Sequence, residues 1–269
     1  MNATRAGEPA VAGTFYPSDP DALRTMVEYH LRQASAGGPP SPASPPKALV
    51  APHAGYVYSG PVAASAYARV VPLRGRIERV VLLGPAHRVP LTAIAAPAAD
   101  ALVTPLGPVP VDTGPRDRLV ASGSVVVSDQ AHAGEHSLEV HLPFVQVALG
   151  DVSVLPLLVG RVPASTVADV LDAVWGGEET VVVVSTDLSH YHDHATATEL
   201  DRRTADAILG ARFEELEPQD ACGVFPLRGL LALARRRHLD VELVDLRTSG
   251  DTSGDVDRVV GYGAFALSS

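Results

Sequence analysis

Histidines are the residues of this 269-residue chain whose type and spacing could carry chemistry. Ten are present, and eight of them fall in four short segments. These segments contain His53; His87; His132, His136 and His141; and His190, His192 and His194. Converging neutral imidazoles can bind a transition metal, and an imidazole can also give or take a proton near neutral pH. The grouping therefore indicates a metal site or an acid–base site.

Three of these segments begin where an apolar run ends. His53 follows KALVA, His87 follows VVLLG, and His190 follows VVVVS. Ligands of open α/β sheets bind beyond the carboxyl ends of the strands, which parallel strands place at one edge. We therefore expect His53, His87 and His190 to lie close together, although they are far apart in sequence.

A second pattern, His132-Ala-Gly-Glu135-His136, matches the H-x-x-E-H arrangement of one class of zinc peptidases. That chemistry needs both histidines one turn apart on a continuous helix. Gly134 falls inside this turn, so Ala133-Gly134 is predicted to be a loop that leads into a helix. We predict that His132 is not a metal ligand, and keep the zinc peptidase as an alternative function.

The alternating histidines His190, His192 and His194 could bind a metal if their backbone were extended. Asp193, however, is predicted to be the N-cap of a helix that begins at Ala195. His192 and His194 are then predicted to be solvated loop residues.

The elements that must position these residues alternate between apolar runs and helical patterns. The predicted strands are Lys47–Ala51, Arg79–Leu83, Ala93–Ala96, Val152–Val159, Thr180–Ser185, Val241–Thr248 and Arg258–Leu267. The predicted helices are Asp19–Gln33, Pro61–Val70, His136–Leu149, Ala164–Val174, Ala195–Leu209 and Pro226–Arg236. Continuously apolar strands that alternate with helices are typical of a sheet covered on both faces. The pattern predicts a single α/β domain over 1–269, with a largely parallel central sheet flanked by helices.

Two segments have special local roles. Residues 35–46, SAGGPPSPASPP, are rich in Pro and Gly and predict a flexible loop within the domain. In PHAGYVYSG, the proline ends the strand, and Ser59 is predicted to cap a helix that starts near Pro61. Tyr56 and Tyr58 either line the mouth of a pocket or cover the sheet edge.

Composition and charge exclude several classes of protein. Hydrophobic residues make up 46% of the chain, and the net charge of −10 argues against a nucleic-acid-binding surface. No apolar stretch approaches the ~20 residues of a membrane span, and the first residues lack the apolar segment of a signal peptide. The single cysteine, Cys222, fits a reducing compartment. We expect a cytoplasmic protein.

Five motifs occur in a fixed order, together with the opening AVAGTFYPSDP. They are PHAGYVYSG, LLGPAHRVPL, EHSLEVHLPF, STDLSHYHD and Asp220-Ala-Cys-Gly. In this combination the sequence resembles the Memo family, whose bacterial and archaeal members are also called AmmeMemoRadiSam system protein B. The resemblance covers nearly the whole chain, from Pro9 to Leu267.

The resemblance implies a fold like that of class III extradiol dioxygenases, which hold non-haem Fe(II) with two histidines and one carboxylate. By position, the two metal histidines match His53 and His87, and Cys222 matches the third ligand in place of the carboxylate. His190 matches the acid–base histidine, with Asp187 in the same S-x-D-x-x-H segment. We expect the Asp187 carboxylate to fix which ring nitrogen of His190 carries the proton. Because a thiolate is softer than a carboxylate, Cu and Zn become candidates beside Fe(II).

Cys222 precedes the helix predicted from Pro226, and a helix N-terminus favours the thiolate. The alternative for this residue is a small buried apolar side chain. The function that the resemblance implies is a metal-dependent oxidoreductase acting on a small or peptide-borne substrate. The alternative that it also implies is a non-enzymatic metal-binding or adaptor protein. As partners it suggests a radical-SAM protein and an AmmeMemoRadiSam protein A.

Overall fold

The computed structural model describes residues 6–7, 9–37 and 45–269. The strands are β1 (Ala6–Gly7), β2 (Ala48–Ala51), β3 (Arg79–Pro85), β4 (Ile94–Ala96), β5 (Ala101–Thr104), β6 (Gly107–Pro110), β7 (Val126–Val127), β8 (Ser153–Val159), β9 (Thr180–Ser185), β10 (His190–His192), β11 (Asp240–Thr248) and β12 (Val259–Ser268). The helices are α1 (Pro20–Gly37), α2 (Tyr56–Ala68), α3 (Thr113–Ala121), α4 (Asp129–His132), α5 (His136–Glu139), α6 (Leu142–Leu149), α7 (Ala164–Ala173), α8 (His194–Leu209), α9 (Val224–Arg237) and α10 (Ser249–Ser253).

The central sheet has the strand order β10-β12-β2-β9-β3-β8-β4-β7, and β11 also pairs with β12. Its four middle strands, β2, β9, β3 and β8, run parallel to one another. The strands β12 and β4 flank them in antiparallel orientation. The largely parallel α/β domain predicted from the apolar runs is confirmed. A smaller sheet, β1-β5-β6, lies beside it.

Successive residues of a central strand pack into two different cores, because side chains alternate across a sheet. In β3, Val80 and Leu82 belong to one core cluster, and Val81 and Leu83 belong to the other. The first core includes apolar residues of α1, α2 and α6, and the second includes those of α7, α8 and α9. All four β3 residues are fully buried. Burial on both faces explains why these strands are continuously apolar.

Two predicted helices differ from the observed ones. The helix predicted from Pro61 begins at Tyr56, after the N-cap Gly55, so Pro61 lies inside it. The Ser59 hydroxyl does not cap this helix but donates to the Ala54 carbonyl at 2.8 Å. The helix predicted over 136–149 is interrupted between α5 and α6. Pro143 explains the break, because it has no N–H to bond the carbonyl four residues earlier.

The predicted loop over 35–46 falls largely outside the described residues. Helix α1 continues to Gly37, and residues 38–44 lie outside the described part of the chain. Within the described ranges, no helix combines the length and apolar character that crossing a membrane requires.

Candidate metal centre

The carboxyl edge of the parallel strands gathers the candidate residues. His53 and His87 each come two residues after their strands, β2 and β3, and Asp187 follows β9 at the same distance. The rings of His53 and His87 have centroids 5.2 Å apart. A cavity of about 540 Å³ lies here. It is lined by His53, His87, His136, Asp187, His190, Tyr191, His192, Pro218, Gln219 and Cys222. The predicted convergence of His53, His87 and His190 is confirmed.

A third histidine, His136, completes a possible metal site with His53 and His87. One ring nitrogen from each of the three lies within 4.8 Å of the other two. The His136 ring stacks on the His87 ring at a centroid distance of 4.7 Å. The H-x-x-E-H spacing had pointed to His136 only as a partner of His132. The signal that could have found it is its place in the EHSLEVHLPF motif, within the run of histidines.

His53 is held in one tautomer by the end of β9. Its Nδ1 lies 2.6 Å from the Ser185 hydroxyl oxygen, and that hydroxyl donates its hydrogen to the Ser137 carbonyl at 2.5 Å. Because a serine hydroxyl has only one hydrogen, His53 Nδ1 must be the donor to Ser185. The His53 lone pair is then on Nε2, which faces the Cys222 thiol. Burial, with the neighbouring His87 and His136, keeps the pKa of His53 well below its usual value, so the ring is neutral.

His87 is oriented by the buried carboxylate of Glu135. Its Nδ1 lies 3.0 Å from Glu135 Oε1, and its backbone N–H donates to Glu135 Oε2 at 2.6 Å. Burial alone would raise the pKa of Glu135, but hydrogen bonds from His87 and the Ser137 N–H lower it to about 2. An ionised carboxylate only accepts, so His87 Nδ1 carries the hydrogen and Nε2 has the free lone pair.

Cys222 lies next to His53, as the resemblance implies. Its Sγ is 3.3 Å from His53 Nε2 and accepts a hydrogen bond from the Asp187 N–H at 3.2 Å. The surroundings of Cys222 do not favour the thiolate that was expected from the nearby helix N-terminus. Burial and the Asp187 carboxylate raise the pKa of the Cys222 thiol instead. Helix α9 begins only at Val224, two residues further on.

His190 and Asp187 share the cavity but do not form the expected pair. His190 Nδ1 lies 2.8 Å from the Leu188 carbonyl, which can only accept, so Nε2 is the basic nitrogen. The buried Asp187 carboxylate accepts from the His53 N–H at 2.7 Å. Burial raises the pKa of Asp187. The prediction that Asp187 selects the tautomer of His190 is wrong. His190 Nδ1 donates to the Leu188 carbonyl, and the Asp187 carboxylate accepts from the backbone N–H of His53.

The peptidase arrangement is absent from the described residues. Gly134 has a φ of 72° and separates His132 on α4 from His136 on α5. His132 Nε2 lies 3.0 Å from the Ala95 carbonyl, and His132 is not part of the three-histidine group. The prediction that Gly134 breaks the helical register is confirmed. Glu135 contacts His87 and His136, so the arrangement that the H-x-x-E-H pattern of zinc peptidases requires is not formed.

The donor set fits a transition metal. His53 and His87 each present an Nε2 lone pair, and imidazole nitrogen suits Fe, Cu and Zn. His136 Nδ1 is buried and has no hydrogen-bond partner among the described residues. A buried polar atom without a partner is costly, and a bound cation would satisfy it if that nitrogen were a ligand.

Comparison with known proteins identifies the family of this chain. A family model described as Memo-like protein matches residues 7–266. The chain belongs to the Memo family. It is 39% identical to a MEMO1 family protein of Methanopyrus kandleri over 96% of this chain and 98% of the relative. It is 35% identical to a MEMO1 family protein of Aquifex aeolicus over 96% of this chain and 97% of that relative. The range matched to the Memo family contains every residue of the site.

Proposed function

We propose that this Memo-family protein binds a transition metal and uses it in an oxidoreductase reaction. The observation that carries the proposal is the group of three histidine nitrogens within 4.8 Å of one another. His53 and His87 would hold the ion, with Cys222 as the third protein ligand and His136 beside it. Fe(II) is the proposed metal, by the likeness of these positions to class III extradiol dioxygenases. When bound, a redox-active metal supplies electron transfer to or from a substrate.

The protein's own residues supply proton transfer and a place for the substrate. The cavity beside the histidines has a volume of about 540 Å³, which is in the usual range for small-molecule sites. His190 lines this cavity, and its Nε2 can take a proton from a substrate O–H group. Asp187 is buried against His53 and places a carboxyl group in the same cavity. A cavity of this size favours an enzyme over a protein that only stores or carries metal.

Metal content tests the ligands. We expect anaerobically purified protein to contain a stoichiometric transition metal, and His53→Ala to lose it because the buried Nε2 donor is removed. His190→Ala should keep the metal, since its role is proton transfer. His132→Ala is the matched control, because His132 bonds a carbonyl away from the site. Elemental analysis measures each variant. A metal-free wild-type protein, or a His190→Ala variant without metal, would contradict the assignment.

Cys222→Ala and His136→Ala decide which residue is the third ligand. The one whose removal lowers metal content more is the ligand. Turnover of catechol-like substrates by the loaded protein, and its loss in His190→Ala, separates an enzyme from a metal-binding protein.

A further inference from the structure

We propose that Glu135 is a positioning residue of the metal centre, which orients His87 through its carboxylate and lies beside a second histidine of the site, His136. The proposal rests on the metal centre proposed above. It gives the glutamate of the H-x-x-E-H pattern a role other than the one a peptidase would assign to it.

The contacts of Glu135 point to this role. Its Oε1 lies 3.0 Å from His87 Nδ1 and 3.3 Å from His136 Nδ1. Its Oε2 accepts from the His87 backbone N–H at 2.6 Å. The side chain of Glu135 is only 2% exposed. One buried carboxylate therefore fixes the ring and the backbone of His87 and approaches His136.

The position of this carboxylate is set by the local backbone. Glu135 is the N-cap residue of α5, and its Oε1 also accepts from the Ser137 N–H at 2.9 Å. Gly134 precedes it with a φ of 72°, a conformation that side-chain-bearing residues rarely adopt. The local backbone therefore fixes the position of the Glu135 carboxylate without help from a metal.

The charge of Glu135 lacks a protein counter-ion. Among the described residues, its ion-pair contacts are His87 and His136, and neither Lys nor Arg pairs with it. Burying a carboxylate without an opposite charge is costly even when N–H groups hydrogen-bond it. A cation held by His87 would supply that charge one imidazole ring away. Carboxylate–histidine–metal arrangements of this kind fix the tautomer of the ligand and raise its basicity.

Glu135→Gln tests the proposal, because it keeps the shape and removes the charge. One oxygen becomes an NH₂ group, which must face an N–H donor of His87 or Ser137. Glu139→Gln is the matched control. Glu139 lies on the same helix, and its carboxylate also accepts three hydrogen bonds, from the N–H groups of Ala10 and Val11 and the Tyr16 hydroxyl.

Two measurements on full-length, metal-free protein are needed. In a chelator competition with Zn²⁺ alone, we expect Glu135→Gln to bind about 10–100-fold more weakly than wild type, and Glu139→Gln to bind as wild type. In ¹⁵N NMR, we expect the His87 ring of the wild type to carry its hydrogen on Nδ1, and Glu135→Gln to lose that preference. A merely structural role would change unfolding but not the tautomer.

The outcomes are separable. Zn²⁺ binding by Glu135→Gln that equals the Glu139→Gln value overturns the proposal. So does a His87 ring protonated on Nε2 in the wild type, a result that needs no variant to fold. If wild-type protein binds no Zn²⁺ but His87 has the Nδ1 hydrogen, and Glu135→Gln removes it, then the proposed metal function fails while the positioning role stands.

Discussion

Three histidines of the site are held through Nδ1 by three different acceptors. The acceptors are the Ser185 hydroxyl for His53, the Glu135 carboxylate for His87 and the Leu188 carbonyl for His190. In each ring the lone pair is therefore on Nε2. All three rings line the same cavity. The chemistry of the site thus depends on neighbours that do not line the cavity.

Ser185→Ala tests this dependence at the level of one hydroxyl. The change leaves the buried His53 Nδ1–H and the Ser137 carbonyl without their partner. We expect the free energy of unfolding to fall by about 1–3 kcal/mol and metal affinity to fall by about tenfold. Urea unfolding and chelator competition measure the two effects. Ser153→Ala removes a surface hydroxyl that donates to the Glu78 carbonyl, and should change stability by no more than about 0.5 kcal/mol. Equal effects of the two variants would refute the argument.

Sequence order predicted part of this site and missed the rest. His53, His87 and His190 were predictable because each follows an apolar strand, and parallel strands end at one edge. His136 does not follow a strand. It reaches the site because the chain turns at Gly134 and α5 then packs against β3. The H-x-x-E-H spacing does not predict this turn. The Asp187–His190 pair was inferred from the spacing of the two residues in one segment. In the structure, each side chain instead hydrogen-bonds a backbone group.

At the level of elements, the close approach of two segments brings Cys222 to His53. The residue after it, Gly223, packs against the end of β9. A Cβ atom at Gly223 would lie 2.5 Å from the Ser185 carbonyl oxygen and 2.7 Å from Thr186 Cβ. Backbone and a β-branched residue cannot move aside easily, so only glycine permits this contact.

Gly223→Ala should therefore push the Cys222 turn away from β9. We expect the free energy of unfolding to fall by about 1–3 kcal/mol. We also expect Cys222 to react faster with a thiol reagent, because its contacts with Asp187 and His53 loosen. Gly114→Ala is the control, since its added Cβ would meet atoms no closer than 3.6 Å in the first turn of α3. That variant should be unchanged or up to about 1 kcal/mol more stable. Unaltered thiol reactivity in Gly223→Ala would contradict the prediction.

The elements themselves were predictable where burial on both faces leaves a continuous apolar run. The bounds of β3, β8 and β9 match the predicted strands to within two residues. The hairpin of β5 and β6 was not predicted. Pro108 and Pro110 lie in β6, and proline is unusual in strands because it cannot donate to a ladder. It is tolerated here because β6 is the edge strand of the small sheet.

At the scale of the whole molecule, several histidines are buried in neutral form. His141, the N-cap residue of α6, is fully buried, with Nδ1 3.1 Å from the Tyr67 hydroxyl. Its Nε2 has no hydrogen-bond partner among the described residues. Burial, with a smaller contribution from His53, lowers the pKa of His141 from 6.5 to about 3. His141 is thus protonated more easily in the unfolded chain than in the folded protein.

This difference predicts how stability depends on pH. Between about pH 6.5 and pH 3 the unfolded chain binds a proton at residue 141 that the folded protein does not, so stability falls as pH falls through this window. One such group contributes a slope of about 1.4 kcal/mol per pH unit. We expect His141→Gln to lose that share of the slope between pH 6 and pH 4, measured by urea unfolding with chelator present. His238→Gln, a change at an exposed histidine after α9, should leave the slope as in wild type. An identical slope in His141→Gln and wild type would show that residue 141 takes up its proton equally in both states.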